Sequence, residues 1–156
     1  MGNAKFQRIA EKYIDTVYRV ALSFCNSKSD AEDAVQNAFY KLMQTDLEFV
    51  DDEHIKRWLI KVAINECKMM FRSYWNKNVI SYEETTLEPT YIENEKKDLF
   101  DAVMKLPAKY RVVVHLYYYE GYSCAEIAKL LSISSSSVQT RLQRARNKLK
   151  EQLKEA

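Results

Sequence analysis

Apolar residues recur every three or four positions along most of the chain, which is the spacing of amphipathic helices. The first such stretch begins at Phe6 and predicts a helix over residues 4–25. Ser29, with Glu32 three positions later, has the pattern of a capping box. A second helix should therefore begin there and end near Gln44.

A third apolar stretch starts at Ile55 and predicts a helix that ends near Tyr74. Over residues 76–95 the helical spacing is lost and acidic residues are frequent, as in linkers. An ordered surface loop is the alternative for this segment. Because the helical spacing returns afterwards, we expect two small helical domains, residues 1–75 and 96–156, joined by a flexible linker.

The second half contains start and stop signals for further helices. Pro107 suits the first position of a helix, and Gly121 is placed to end that helix in a left-handed conformation. Ser123 and Glu126 form a second capping box. The helix that they start should be short, because a turn is expected at Ser132.

Ser134 is the predicted N-cap of a longer last helix. The apolar stripe of this helix consists of Val138, Leu142, Ala145, Leu149 and Leu153. A short helix, a tight turn and a longer helix form a helix-turn-helix. The serine-rich stretch at the turn is therefore predicted to be structured rather than a linker.

The last predicted helix presents short polar side chains first and arginines later. In a helix-turn-helix the N-terminal end of the second helix reaches base edges, and basic residues beyond it reach phosphates. The alternative is a solvated basic face on a helix that only packs against its neighbours. The predicted DNA contacts are Ser135, Ser136, Gln139 and Thr140 for bases, and Arg141 and Arg144 for phosphates.

Composition narrows the remaining classes of function. With two glycines and two prolines in 156 residues, β-hairpins and glycine-rich phosphate loops are not expected, so the fold should be all-α. Cys25, Cys67 and Cys124 lie more than forty residues apart, which suggests neither a disulfide framework nor a zinc site. We expect a reducing cytosol, no metal, no cofactor and no small-molecule substrate. A nucleic-acid enzyme has little support, because no catalytic motif is found.

Charge is distributed unevenly, although the net charge is only +2. Residues 30–53 hold eight acids and one base, whereas residues 138–150 hold five bases and no acid. The basic stretch could contact a polyanion, and the acidic stretch could meet a basic partner or only water.

Three segments together carry a family resemblance. "LPAKYRVVVHLYYYEGYSCAEIAKLLSISSSSVQTRLQRARNKLKEQL" resembles region 4, the promoter-binding region, of sigma-70 family RNA polymerase sigma factors of the short extracytoplasmic-function (ECF) type. "SDAEDAVQNAFYKLM" and "IKRWLIKVAINECKMMFR" resemble region 2 of the same family. One departure is Ser132, which stands where the family usually has glycine.

The resemblance implies a non-catalytic, cytoplasmic subunit that directs core RNA polymerase to promoter DNA. It implies that the predicted DNA contacts of the last helix read the minus-35 element. It also implies an anti-sigma factor as partner, either membrane-bound or soluble. The other implied contacts are Asp30, Glu32, Asp33, Gln36 and Phe39 for core polymerase, and Lys61, Asn65, Lys68 and Arg72 for the minus-10 element.

Some alternatives stay open at this point. The loop "EFVDDEH" matches in length the family loop that captures a flipped base, but its acidity does not suit a polyanion. Trp58 is expected in the core, on one stripe with Ile55 and Val62, rather than as a platform for a base. A stand-alone helix-turn-helix regulator, or a sigma-like accessory factor, is the second interpretation of the whole chain.

Overall fold

The computed structural model describes residues 1–25, 27–78 and 97–154. The chain divides into two compact units, residues 1–76 and 77–156. Over the described ranges the structure contains seven α-helices and no strand, which confirms the all-α prediction. Most of the predicted linker lies outside the described residues, and its first positions continue a helix.

Three helices form the first unit: α1 (Asn3–Phe24), α2 (Lys28–Gln44) and α3 (Asp52–Asn78). The short α1–α2 turn makes these two helices antiparallel neighbours. Arg8 pairs with Asp52, and further along both helices Cys25 pairs with Cys67. Because the two pairs occur in the same order, α1 and α3 run parallel.

The predicted start of α2 is wrong by two residues. Ser27, not Ser29, is the N-cap, and its hydroxyl accepts a hydrogen bond from the Asp30 backbone N–H at 3.1 Å. Ser29 and Glu32 are exposed within the helix. The sequence offers two serines with an acid three positions on, and the helix begins at the earlier one.

The buried stripe of α3 also differs from the prediction. Ile55, Leu59, Ala63 and Cys67 are buried at four-residue spacing. Trp58, which was expected in the core, is only half-buried and packs edge-on against Phe49 at 5.8 Å between ring centroids. Ile60 and Ile64 continue the core on the other side of this stripe, so the apolar face is rotated away from Trp58.

The expectation of no disulfide is wrong as well. Cys25 and Cys67 are linked, with their Cα atoms 5.6 Å apart. They are separated by 42 positions in the sequence, a stretch that includes all of α2, and the parallel packing of α1 and α3 brings them together. Sequence spacing alone does not report such a contact. Cys124 is free.

The second unit contains α4 (Lys97–Met104), α5 (Ala108–Val114), α6 (Cys124–Leu131) and α7 (Ser135–Lys154). Pro107 is the N-cap of α5 rather than its first residue. A π-helical turn, His115–Tyr119, continues α5, and Gly121 follows at φ +75°. The left-handed glycine was predicted, but the π-helical turn was not.

The core of the second unit places α7 against α4 and α5. Ala145 of α7 packs in one cluster with Val103, Leu106 and Tyr110, and Leu149 lies against this cluster. Val138 and Leu142 are also buried, whereas Leu153 is 44% exposed. The predicted stripe therefore holds over its first three positions and weakens toward the end of the helix.

Ser132 ends α6 in the left-handed conformation, with φ 58° and ψ 45°. The Ile133 backbone N–H donates to the Ala128 carbonyl at 3.0 Å, which closes the turn. For a residue with a Cβ atom, this conformation costs about 1–2 kcal/mol. The serine that stands in place of the expected glycine therefore takes the strained conformation.

Replacing this serine with glycine should stabilise the chain. Ser132→Gly removes the left-handed strain, so we expect the free energy of unfolding to rise by about 0.5–1 kcal/mol, less than the full strain because glycine also gains freedom in the unfolded chain. Chemical denaturation of the full chain measures this. As a matched control, Ser136→Gly, within a helix, should lower stability. A fall in stability for both variants would contradict the strain argument.

Candidate functional site

The helix-turn-helix is fixed by side-chain caps at both of its helices. In α6 the Ser123 hydroxyl accepts from the Glu126 N–H at 3.2 Å, and the Glu126 carboxylate accepts from the Ser123 N–H at 3.0 Å. In α7 the Ser134 hydroxyl accepts from the Ser137 N–H at 3.1 Å. Both predicted N-caps are present, and they set the first turn of α7 in a defined register.

Four of the predicted minus-35 residues share one exposed face of α7, opposite the buried stripe. They are Ser136, Gln139, Thr140 and Arg144. Ser135 and Arg141 are half-buried and lie at the two edges of this face. The Ser136 hydroxyl lies 3.2 Å from the hydroxyl of Ser134. These four exposed residues are named the DNA-facing surface after their predicted role, and the surface is polar at its start and basic further along.

Sequence reasoning missed two residues of this surface. Gln143 and Asn147 lie on the same exposed face, and their side chains hydrogen-bond to each other at 3.4 Å. Their positions, four and eight residues after Gln139, are the helical spacing that could have revealed them.

One arginine of the last helix is engaged inside the unit. The Arg146 Nε donates to the Tyr118 hydroxyl at 2.7 Å. Its guanidinium also lies 6.0 Å from the Tyr117 ring centroid and 5.7 Å from that of Tyr118. The arginines of α7 therefore differ: Arg144 lies on the DNA-facing surface, and Arg146 holds the π-helical turn.

The predicted minus-10 residues follow one another on α3 at helical spacing, which places them on one face. Lys61, Asn65 and Arg72 are exposed, and Lys68 is half-buried. This face, the α3 basic face, turns away from the buried stripe of the same helix. The structure thus presents all four predicted residues together.

Where the acidic loop meets the start of α3, two acidic residues, Asp51 and Asp52, make contacts within the first unit. Asp52 accepts from Arg8 at 2.6 Å and from Lys12 at 3.1 Å. Asp51 accepts from the His54 N–H at 2.8 Å and so caps the helix. A hollow of about 560 Å³ lies beside the loop, lined by Lys5, Thr45, Asp46, Leu47, Glu48 and Phe49 among others.

The ion pairs of Asp52 make the stability of the first unit dependent on pH. Hydrogen bonds from Arg8 and then Lys12 hold the pKa of Asp52 well below its ordinary value of 3.8. A carboxyl whose pKa is lowered by folding stabilises the fold above that ordinary value and loses this effect as the pH falls toward the lowered pKa. We expect Asp52→Asn to lower the Tm at pH 7 and to approach the wild type below about pH 3. An equal deficit at both pH values, measured by thermal melts, would contradict this assignment.

The face of α2 that was predicted to meet polymerase borders an apolar groove between α1 and α2. The groove has a volume of about 650 Å³. Glu32, Gln36 and Phe39 line it, together with the half-exposed Ile14, Tyr40 and Met43. Burial raises the pKa of Tyr18 at its edge, and the charge of Glu32 raises it further.

The five residues predicted to contact polymerase do not all lie on the same face of α2. Glu32 and Gln36 are exposed at the groove, while Phe39 is 7% exposed and packs edge-on against Phe6 at 6.3 Å between centroids. Asp33 is exposed beside the groove but does not line it. Asp30 is half-buried in the first turn of α2, on a different side of the helix from Glu32 and Gln36.

A polar link that sequence reasoning missed connects α2 to α3. Glu66 is buried, and its carboxylate accepts from Lys41 at 2.6 Å and from Asn37 at 3.3 Å. This link joins the helix with the groove to the helix with the basic face. An isolated acid between basic residues in α3 is the signal that could have indicated it.

Two negative findings apply to the part of the chain that the structure describes. No group of three or more His, Cys, Asp or Glu side chains is arranged to hold a metal ion. No described helix has both the length and the apolar character needed to cross a membrane.

Comparison with known families and proteins gives one consistent result. The family model for sigma-70 region 2 matches residues 9–77, and that for sigma-70 region 4 matches residues 96–149. The sigma factor SigV of Bacillus subtilis (strain 168) is 28% identical in an alignment of 142 positions that covers 87% of this chain and 83% of SigV. The ECF sigma factor SigW of the same organism is 27% identical, over 96% of this chain and 89% of SigW.

Solved structures show the same fold. The sigma factor RpoE of Bartonella quintana, in complex with the anti-sigma factor NepR, aligns with a TM-score of 0.75 over 96% of this chain and 97% of that one, at 24% identity. CnrH, in complex with the cytosolic domain of CnrY, aligns with a TM-score of 0.65 over 98% of this chain and 90% of that one, at 23% identity.

Proposed function

This chain belongs to the sigma-70 family of RNA polymerase sigma factors, and from this premise we propose how its two units divide the steps of initiation. Its relatives are ECF sigma factors, and it acts as an RNA polymerase sigma factor in transcription initiation. The first unit docks on core polymerase and holds the minus-10 element. The second unit binds the minus-35 element.

The proposal for the second unit depends on the DNA-facing surface of α7. Gln139 and Thr140 lie near the capped N-terminus, where a recognition helix meets base edges in the major groove. Arg144, one turn later, is exposed and suited to a phosphate. This ordered surface, set by the caps at Ser123 and Ser134, is the observation that carries the assignment to promoter DNA.

The proposal for the first unit depends on two faces of adjacent helices. The groove with Glu32, Gln36 and Phe39 meets the clamp helices of core polymerase, and the α3 basic face meets the minus-10 element. The ion pair from the exposed Lys41 to the buried Glu66 joins the two helices that carry these faces. Polymerase binding and promoter contact are therefore assigned to adjacent helices of one unit.

An anti-sigma factor is the proposed inhibitory partner. The sigma factor RpoE, which shares this fold, forms a complex with the anti-sigma factor NepR, and CnrH, of the same fold, forms one with the cytosolic domain of CnrY. The apolar groove, with half-exposed Ile14, Tyr40 and Met43, is the surface of the first unit most suited to such a partner. The proposed place of action is the cytoplasm, and we assign no reaction to the chain itself.

Run-off transcription with purified core polymerase tests the proposal. Addition of the chain should direct transcripts from a subset of fragments in a genomic library, whereas core polymerase alone should not. A stand-alone helix-turn-helix regulator is the competing function. It would bind DNA but would not be retained by immobilised core polymerase at physiological salt, and that result would contradict the proposal.

A further inference from the structure

The disulfide between Cys25 and Cys67 lies at the centre of the first unit. Cys25 is the C-cap of α1, and Cys67 lies in the buried stripe of α3. The two residues are 1% and 0% exposed. The Cys67 sulfur is also 4.0 Å from the Ala21 carbonyl oxygen, within the last turn of α1.

The position of this cross-link ties it to both functional faces. Cys67 lies between Asn65 and Lys68 of the α3 basic face. Its neighbour Glu66 carries the ion pair to Lys41 of α2. Two adjacent residues of α3 thus link it to both other helices: Cys67 is bonded covalently to the end of α1, and Glu66 forms an ion pair with α2.

We propose that Cys25 and Cys67 form a redox-controlled cross-link that sets the thermal stability of the polymerase-binding and minus-10-binding unit. A dithiol opens it. One thiolate of the dithiol attacks a cysteine sulfur, the Cys25–Cys67 bond breaks, and a mixed disulfide forms. The second thiol of the dithiol then displaces that cysteine, so the dithiol becomes a disulfide and two protons end on the released Cys25 and Cys67 thiols.

The expected effect is on stability rather than on shape. The cross-link restrains the unfolded chain across 42 residues, which favours the folded state. After reduction, both thiols remain in a buried position, where free cysteine packs as a small apolar side chain. The reduced unit therefore keeps its fold, and we expect its Tm to be lower by on the order of 10 °C.

Burial also controls how fast the cross-link opens. A dithiol reaches these sulfurs only when the C-terminal end of α1 separates from the middle of α3, so the reduction rate should stop rising at high dithiol concentration. Cys124 lies in the second unit and is only half-buried, so it supplies an internal reference for thiol access.

The experiment uses the full chain, oxidised with a small-molecule disulfide or reduced with dithiothreitol. Thiols titrated in denaturant should number at most one in the oxidised chain, because Cys124 either stays free or forms a mixed disulfide with the oxidant, and three in the reduced chain. The Tm should follow the thiol count. In Cys25→Ala and Cys67→Ala the Tm should no longer respond to dithiothreitol, whereas the matched control Cys124→Ala should keep the response.

Three thiols after oxidation, or the same Tm in both redox states, would overturn the proposal. The comparison of oxidised and reduced wild type needs no variant, so it decides the question even if an alanine variant fails to fold. Neither measurement requires polymerase, and the proposed sigma activity is thus tested separately.

Discussion

Glu32→Lys should weaken binding of the chain to core RNA polymerase by about tenfold or more. Glu32 is exposed at the rim of the apolar groove, next to Gln36 on the same face of α2. Its substitution by lysine reverses a charge at the rim of the proposed docking surface. Like charges brought together across an interface cost several kcal/mol. The fold should be unaffected, because the Glu32 side chain is exposed and does not cap α2.

Titration of labelled chain with core polymerase at physiological salt measures this effect. Glu11→Lys is the matched control, because Glu11 is an exposed acid of the same unit that lies outside the groove. It should bind almost as well as the wild type. Equal weakening by both variants would indicate that net charge, rather than this groove, governs docking.

The parts of the fold that the sequence predicts well are those set by neighbours in the chain. The capping box of Ser123 and Glu126, the N-cap Ser134 and the left-handed Gly121 all depend on residues within four positions of one another. Local hydrogen bonds and local dihedral preferences determine these features. The second unit was therefore predicted almost helix by helix.

The parts that sequence reasoning missed depend on contacts between distant residues. The Cys25–Cys67 bond exists because two helices run parallel, and no spacing rule contains that fact. Arg111 is fully buried and donates to the Leu106 carbonyl at 2.8 Å, and burial lowers its pKa to about 10. From the sequence alone, an arginine in an apolar helix is expected to be exposed. Its burial depends on partners that only tertiary packing supplies.

In the candidate site, too, local features could be predicted from the sequence and contacts between distant residues could not. The family resemblance pointed to Lys61, Asn65 and Arg72, their helical spacing puts them on one face of α3, and the structure has them exposed together. Spacing could not show that Arg146 would be drawn to Tyr118, because that contact joins residues 28 positions apart. The tertiary structure of the second unit therefore determines which arginine is available for DNA.

This difference between the arginines leads to a second large effect, on DNA binding. Arg144→Ala should weaken binding to promoter fragments of any sequence by about tenfold at physiological salt. Its exposed side chain is proposed to neutralise one phosphate. The slope of log affinity against log salt should therefore become shallower by about one unit. Fluorescence anisotropy with duplex DNA at several salt concentrations measures both quantities.

Two further variants separate this contact from structure and from base recognition. Arg146→Ala, on the same helix, removes an arginine already held by Tyr118, so the salt slope should stay at the wild-type value. Gln139→Ala should keep the slope and instead change the preference among minus-35 sequences by about 1–3 kcal/mol. If Arg144→Ala and Gln139→Ala gave the same salt slope and the same loss on every sequence, the proposed division of α7 into base-reading and phosphate-binding residues would be wrong.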